Sequence, residues 1–382
     1  MKKVLAILLA LAMVLSFAAC KTTEPAAEVT ATPETEATEA PVVEATEEPA
    51  AEGTYEIAMV TDVGNIDDQS FNQSTWEACK AFAEANGKTY NYYRPTEDSD
   101  AARVEAMKTA IEKGAKVVVC PGYMFGPSIT EAQALYPDVM FLGIDLTMKD
   151  MTPTANTTIC SFQEEIAGFF AGYAVVMDGY TKLGFCGGMA VPAVVRYGYG
   201  FVQGANAAAV ELGKVADVSV KFWYSQAFWP TDEIKIKMDG WYTDGTEVVF
   251  ACGGGLFSSV VAAADEANPK GWVVGVDVDQ ANKSDRFIIS AYKDLPNTTT
   301  GYLTKLYDNG GTWPTDLAGQ YALLGAATKA VGLPTTASSW RFTTFTVDQY
   351  NALFAKILDG TLVVSNVETV APTVEIAVEY LS

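Results

Sequence analysis

Histidine is absent from all 382 residues. That removes Ser-His-Asp triads, Cys-His dyads and His-ligated zinc in one step. Cysteine is sparse: beyond Cys20 there are only Cys79, Cys120, Cys160, Cys186 and Cys252, an odd set without a Cys-x-x-Cys pair. Cys120, Cys186 and Cys252 each end an apolar, strand-like run, where a thiol behaves as a small hydrophobe. Neither a disulfide framework nor a metal cluster is expected, and no metal or cofactor is assigned. Basic residues are outnumbered, 25 Lys and Arg against 47 Asp and Glu, for a net charge of −22. Nucleic-acid phosphates need a positive footprint, so no nucleic-acid partner is expected. After the first twenty residues, no run reaches the length of about eighteen apolar residues that a spanning helix requires.

What is present starts with a leader. Lys2 and Lys3 precede an apolar run, Val4 to Ala19, broken only by Ser16 and ending in small residues before Cys20. Residues 1–20 therefore read as a secretory signal and not as a spanning helix. A Cys at the first mature position resembles a bacterial lipobox, which implies lipid attachment at Cys20 and an extracytoplasmic, membrane-anchored protein. Phe17 stands where such signals usually carry Leu. Residues 21–53 use almost only Thr, Glu, Ala, Pro and Val and contain no aromatic, so they read as a solvated tether. The tether holds nine Glu against Lys21, and with Lys2 and Lys3 ahead of it the remainder carries −16 of the −22 charges.

About 330 residues follow, more than one hydrophobic core usually holds, so two lobes are expected. Short apolar runs alternate with amphipathic ones. Strands are predicted at 55–60, 89–93, 115–120 and 139–144, and helices near 70–86, 98–113 and 127–136. The stretch 166–176 is apolar nearly all round, as suits a helix between two lobes. A second series follows, with strands at 182–186, 217–223, 247–252, 271–276 and 287–291 and helices near 197–212, 229–238 and 256–267. Helices near 298–308 and at 347–358 come last, while 310–340, rich in Gly, Thr and Pro, is left unplaced. Successive βα units mean parallel sheets. The expected class is α/β: two doubly wound parallel-sheet lobes joined by a hinge, the architecture of type I periplasmic binding proteins. The first lobe is expected to hold 54–178 plus about 294–325, the second 179–293 plus about 326–382.

Ligands of such sheets bind beyond the carboxyl ends of the strands. Asp62, Asp145, the Gly253-Gly254-Gly255 turn, Asp277 and Lys293 all fall there. After the first strand comes Thr61-Asp62-Val63-Gly64-Asn65-Ile66-Asp67-Asp68-Gln69-Ser70-Phe71-Asn72-Gln73, a loop opening a helix with Ser70 as the expected N-cap. It sets Phe71 at the cleft mouth, either as a stacking face or as a rim contact packed back on the fold, with Asn72 beside it. Asn72 and Asp145 suit the edge of a purine, since an amide offers donor and acceptor and a carboxylate accepts from N–H. An acid after a strand, like Asp277, accepts from vicinal hydroxyls. One of Gln163 and Glu164, with Glu164 preferred, is expected to reach the ligand. Tyr123 to Gly126 form either wall or core. The triple glycine lets backbone N–H groups approach a ligand, but it is not a dinucleotide fingerprint.

The opening loop carries a resemblance. Asp-x-Gly followed by Asp-Asp-x-Ser-Phe-Asn-Gln and a helix near Trp76 is similar to the signature of the basic membrane protein family, and matching segments run from about Tyr55 to Gly360. Members are lipoprotein solute-binding components of ABC importers resembling purine-nucleoside receptors. The resemblance implies a ribose contact at Asp277, in Gly-x-Asp-x-Asp-Gln, and a sugar contact at Lys293, in Ser-x-x-Lys, with Ile289 where the family more often has Thr. It further implies a pocket lined by the glycine turn at Gly254 and an aromatic closing on the base at Phe228, although Trp229-Pro230 follow and Trp229 is a competing choice. The function expected is capture of a nucleoside, a purine one by resemblance, for an ABC permease, by a monomer without catalytic residues. A sugar or polyol receptor, a nucleoside hydrolase and a ligand-free adhesion lipoprotein are the alternatives.

Overall fold

The computed structural model describes residues 54–62 and 64–382. The leader, the tether and Cys20 lie outside the described residues.

Two twisted sheets form the frame. The first begins with β1 (Ile57–Val60), α1 (Phe71–Ala85), β2 (Tyr90–Tyr93), α2 (Asp100–Glu112), β3 (Val117–Pro121), α3 (Phe125–Leu135), β4 (Met140–Ile144) and β5 (Thr157–Phe162). β1, β3, β4 and β5 are buried along their whole length, which is why they read as continuous apolar runs. After α4 (Glu164–Met177) come β6 (Lys182–Gly187), α5 (Pro192–Leu212), β7 (Ser219–Tyr224), α6 (Asp232–Thr243), β8 (Val248–Cys252), α7 (Phe257–Glu266), β9 (Trp272–Asp277) and β10 (Phe287–Lys293). The chain finishes with α8 (Leu295–Asp308), β11 (Tyr321–Leu324), β12 (Val331–Gly332), α9 (Val347–Leu358) and β13 (Ala377–Leu381).

Strand order is β11-β5-β4-β3-β1-β2 in one sheet and β12-β10-β9-β8-β6-β7-β13 in the other. All pairings are parallel except β10 with β12. Both sheets are doubly wound, so the expected α/β architecture of two hinged lobes is present. The chain passes from one sheet to the other between β5 and β6, between β10 and β11, and between β11 and β12. At the first passage α4 already lies against β10 and β12 of the second sheet, one helix earlier than the boundary at 178 read from the sequence. At the second, α8 lies against α1 of the first lobe.

Glycine decides how α4 meets α5. A Cβ on Gly168 would sit 2.1 Å from the carbonyl oxygen of Tyr197, and one on Gly200 2.1 Å from that of Glu165. Gly172 and Gly204 repeat the pattern one turn on, at 2.0 Å from Phe201 O and Phe169 O. The two helices therefore touch backbone to backbone, in a way no other residue would allow. Aromatics fill what remains: Phe170 stacks on Phe354 of α9, and Phe185, Phe222 and Phe250 cluster under α5.

Candidate functional site

Loops at the carboxyl ends of the strands of both sheets converge on one cavity, about 740 Å³ when its open mouth is included. From the first lobe come Asp62, Asp68, Phe71, Asn72, Tyr123 and Asp145; from the second, Tyr197, Phe228, Gly253, Gly254, Asp277 and Lys293. Of the nine ligand-contact residues expected from the sequence, eight line this cavity and Glu164 does not. Glu164 is wholly buried behind it, accepting from Arg196 Nε at 2.7 Å with Oε1 3.6 Å from Lys293 Nζ. Trp229 is 44% exposed and away from the lining, whereas Phe228 is part of it.

The β1–α1 loop is wired by its acids. Asp68 accepts from the backbone N–H groups of Ser70, Asn72 and Gln73, at 2.9, 2.9 and 3.1 Å, so it caps α1. The expected cap at Ser70 is thus overturned: its hydroxyl makes no cap bond and donates instead to Asp277 Oδ2 at 2.7 Å, in the other lobe. Asn72 Nδ2 donates to Asp62 Oδ1 at 2.9 Å and to Asp68 Oδ2 at 3.2 Å. Two carboxylates fix that amide's orientation, because the flipped amide would set oxygen against oxygen. Asn72 Oδ1 is then left buried without a partner among the described residues. Burial pushes the Asp68 carboxyl up to about 6, against the three backbone N–H groups that pull it down, and pushes Asp62 up as well.

Asp145, just after β4, and Asp277, ending β9, hold equivalent places in their lobes, with left-handed φ of 63° and 65°. Aspartate tolerates that conformation better than most residues. Both turn their carboxylates to Lys293, whose Nζ lies 2.5 Å from Asp145 Oδ2 and 3.6 Å from Asp277 Oδ1. The ammonium also sits 4.3 Å from the centre of the Phe71 ring. Burial alone would favour the neutral amine, but Asp145, Asp277 and Glu164 together outweigh it and hold the lysine above its ordinary pKa. Asp145 rises to about 6, because burial, helped by the charge of Glu164, wins over the lysine. Its Oδ1 and the Tyr197 hydroxyl are buried and unpartnered among the described residues. In the second lobe the glycine turn folds onto Phe228, Gly255 N donating to Phe228 O at 2.8 Å, and a Cβ on Gly254 would lie 2.7 Å from that same oxygen.

The arrangement offers flat apolar faces from both lobes, acceptors at Asn72 and Asp145, and a lysine bound among carboxylates. The Ser70 hydroxyl set against Asp277 Oδ2 bridges the two lobes, and Ser70 does not itself line the cavity. Among the described residues no group of acids and thiols is placed to hold a metal, and no helix is long and apolar enough to cross a membrane.

Residues 55–366 match the family model described as "ABC transporter substrate-binding protein PnrA-like". The chain belongs to this family. Its members are substrate-binding components of transporters rather than enzymes. Among curated relatives, the "ABC transporter nucleoside-binding protein BmpA" of Lactococcus lactis is 30% identical over 234 residues, 58% of this chain and 64% of its own. A "CD4+ T-cell-stimulating antigen" of Listeria monocytogenes is 29% identical over 59% of this chain and 63% of its own. The chain therefore spans just under two thirds of the length of these relatives. A solute-binding protein of an ABC transporter system from Aeropyrum pernix shares the fold of this PnrA-like chain, with TM-score 0.69 and 18% identity over 83% of this chain and 94% of the other.

Proposed function

We propose that this protein captures a nucleoside, preferentially a purine one, between its lobes and hands it to the permease of an ABC importer. It does so as a monomer tethered through residues 21–53 to a lipid on Cys20, at the extracytoplasmic face of the cell membrane. One observation carries the reading: a single cavity takes an aromatic face from each lobe, Phe71 and Phe228, and ends on Lys293 set between Asp145 and Asp277. Stacking of a base on an aromatic is worth about 1–3 kcal/mol per face. The unpartnered Asn72 Oδ1 and Asp145 Oδ1 suit N–H donors at a purine edge, and Asp277 suits ribose hydroxyls. Membership in the family and the printed name of the Lactococcus relative support the same ligand class.

Charge separates nucleoside from nucleotide. Asp62, Asp68, Asp145 and Asp277 line the cavity with Lys293 as its one lining cation among the described residues. A phosphate brings about −1.5 to −2 charges. A 5′-phosphate should cost at least about 3 kcal/mol, or roughly a hundredfold in affinity. Calorimetry with adenosine, guanosine, adenine, ribose and adenosine 5′-monophosphate tests the reading. Tight nucleoside binding, weak monophosphate binding and recovery of the nucleoside intact are expected. Binding of ribose as tight as adenosine, or release of free base, would overturn it.

A further inference from the structure

A second cavity lies on the other side of the Glu164–Arg196 ion pair, about 660 Å³ with its mouth included. It is walled by stretches 147–149, 161–165, 321–323 and 366–368, which flank two of the three passages between the sheets, so it sits at the hinge. Glu165 lines it, 3% exposed. Beyond its own backbone N–H, this carboxylate has no hydrogen-bond or ion-pair partner among the described residues, and its Oε2 is fully buried and unsatisfied. Such a group costs free energy until a donor meets it.

Apart from Asn366, which is exposed at the mouth, the other polar side chains of the wall are engaged. Arg196 is bound to Glu164 Oε2 at 2.7 Å and to Glu368 Oε2 at 3.3 Å, and the exposed Lys149 stands 3.9 Å from Glu368 Oε1. Thr147 Oγ1 donates to Asp150, and Ser161 Oγ pairs with the Tyr321 hydroxyl at 2.7 Å. An incoming anion would find the buried Arg196 already held by two carboxylates and Lys149 out at the surface, whereas a cation would find Glu165 without an ion-pair partner among the described residues. The remaining wall is apolar: the Phe162 and Tyr321 side chains inside, Met148 and Leu323 at the rim, 52 and 48% exposed. Two exposed, unbranched or γ-branched apolar side chains beside one opening suit an apolar body.

We infer that this hinge-side cavity is a second binding site, for a small organic ammonium ion with an apolar body, whose charged end pairs with Glu165. The site shares no lining residue with the cavity between the lobes, and the inference does not rest on the nucleoside reading.

Phenethylammonium chloride is the probe and neutral 2-phenylethanol its control, added to the purified full-length chain. Phenethylammonium should raise the unfolding midpoint and titrate in a calorimeter with one site, at least about tenfold tighter than the alcohol. Glu165→Gln should reduce that affinity at least about tenfold. Leu323→Trp, which fills the mouth from an exposed position, should abolish binding whether or not Glu165→Gln folds well. Phe228→Ala, in the other cavity, should leave the affinity within about twofold. Absence of binding, equal binding of the alcohol, unchanged affinity in Glu165→Gln or Leu323→Trp, or loss in Phe228→Ala would each overturn the assignment.

Discussion

Glu164 and Glu165 are consecutive, both open α4, and both are nearly inaccessible, 0 and 3% exposed. Both benefit from the positive end of the same helix. One turn of a helix takes 3.6 residues, so neighbours point to different sides. Glu164 meets Arg196 and Lys293 behind the floor of the cleft, and Glu165 faces the hinge cavity with only its own backbone N–H. Burial is therefore no measure of what a carboxylate contributes. With partners it fixes an arginine and a lysine behind the cleft; without them it is a penalty held in place by the rest of the fold.

The largest break in that comparison is Lys293→Met. It strands Asp145, Asp277 and Glu164 together, and thermal or urea unfolding should show a loss of about 5 kcal/mol. An unchanged midpoint would mean that the cluster does not hold the lobes. Glu164→Gln should come next, near 3 kcal/mol of destabilisation, because Arg196 and Lys293 each lose a buried partner.

Glu165→Gln should act with the opposite sign, and only at higher pH. Burial, reinforced by the charge of Glu164, pushes the Glu165 carboxyl from its ordinary 4.5 to about 7. A raised acid means that the folded state resists ionisation: the penalty is absent below pH 4.5, grows between 4.5 and 7, and is complete above. The variant should match the parent near pH 4.5 and exceed it at pH 8 by about 3 kcal/mol. Unfolding midpoints of the two across that range check it; a difference that stays flat with pH would give Glu165 a partner. The smallest effect concerns the sugar. Asp277→Ala should weaken adenosine at least about tenfold, near 1.4 kcal/mol, while adenine changes little by calorimetry. Equal losses for both would move Asp277 away from the ribose.

Much of this was legible because parallel strands announce themselves as apolar runs and their carboxyl ends locate the cleft. That rule puts Asp62, Asp145, Asp277 and Lys293 at the cleft, where they line one cavity, and the family resemblance adds the sugar-contact expectation for Asp277 and Lys293. Val194 and Tyr197, with Val191 just ahead of them, line the same cavity yet escaped, since they belong to α5 and its N-cap and not to a strand end. A signal existed: Pro192 at the first turn of α5 marks a start that the reading at 197 missed by five residues. α6 likewise starts at Asp232, capped by the Thr231 hydroxyl on Ile234 N, not at 229. β13 went unread because Ala377-Val378-Glu379-Tyr380-Leu381 is mostly exposed and does not alternate, and its place is set by pairing with β7. The stretch 310–340 resisted because β11 and β12 are short segments whose places depend on pairing with β5 and β10, which local pattern does not encode. Glu164 was misplaced for a related reason: sequence gives an acid after a strand, but only the approach of α5 decides that Arg196 claims it.

Among the described residues three hydrogen bonds run from one lobe to the other at the cleft: Ser70 Oγ to Asp277, Gln280 Nε2 to Gln69 O at 3.2 Å, and Lys293 to Asp145. None of them is made to a ligand, yet all must part before anything held between the walls can leave. The lifetime of the loaded protein is then set by how often the lobes separate. Ligands differing widely in affinity should share one ceiling on their escape rate, and loosening a link, as Ser70→Ala would, should shorten every residence time by the same factor.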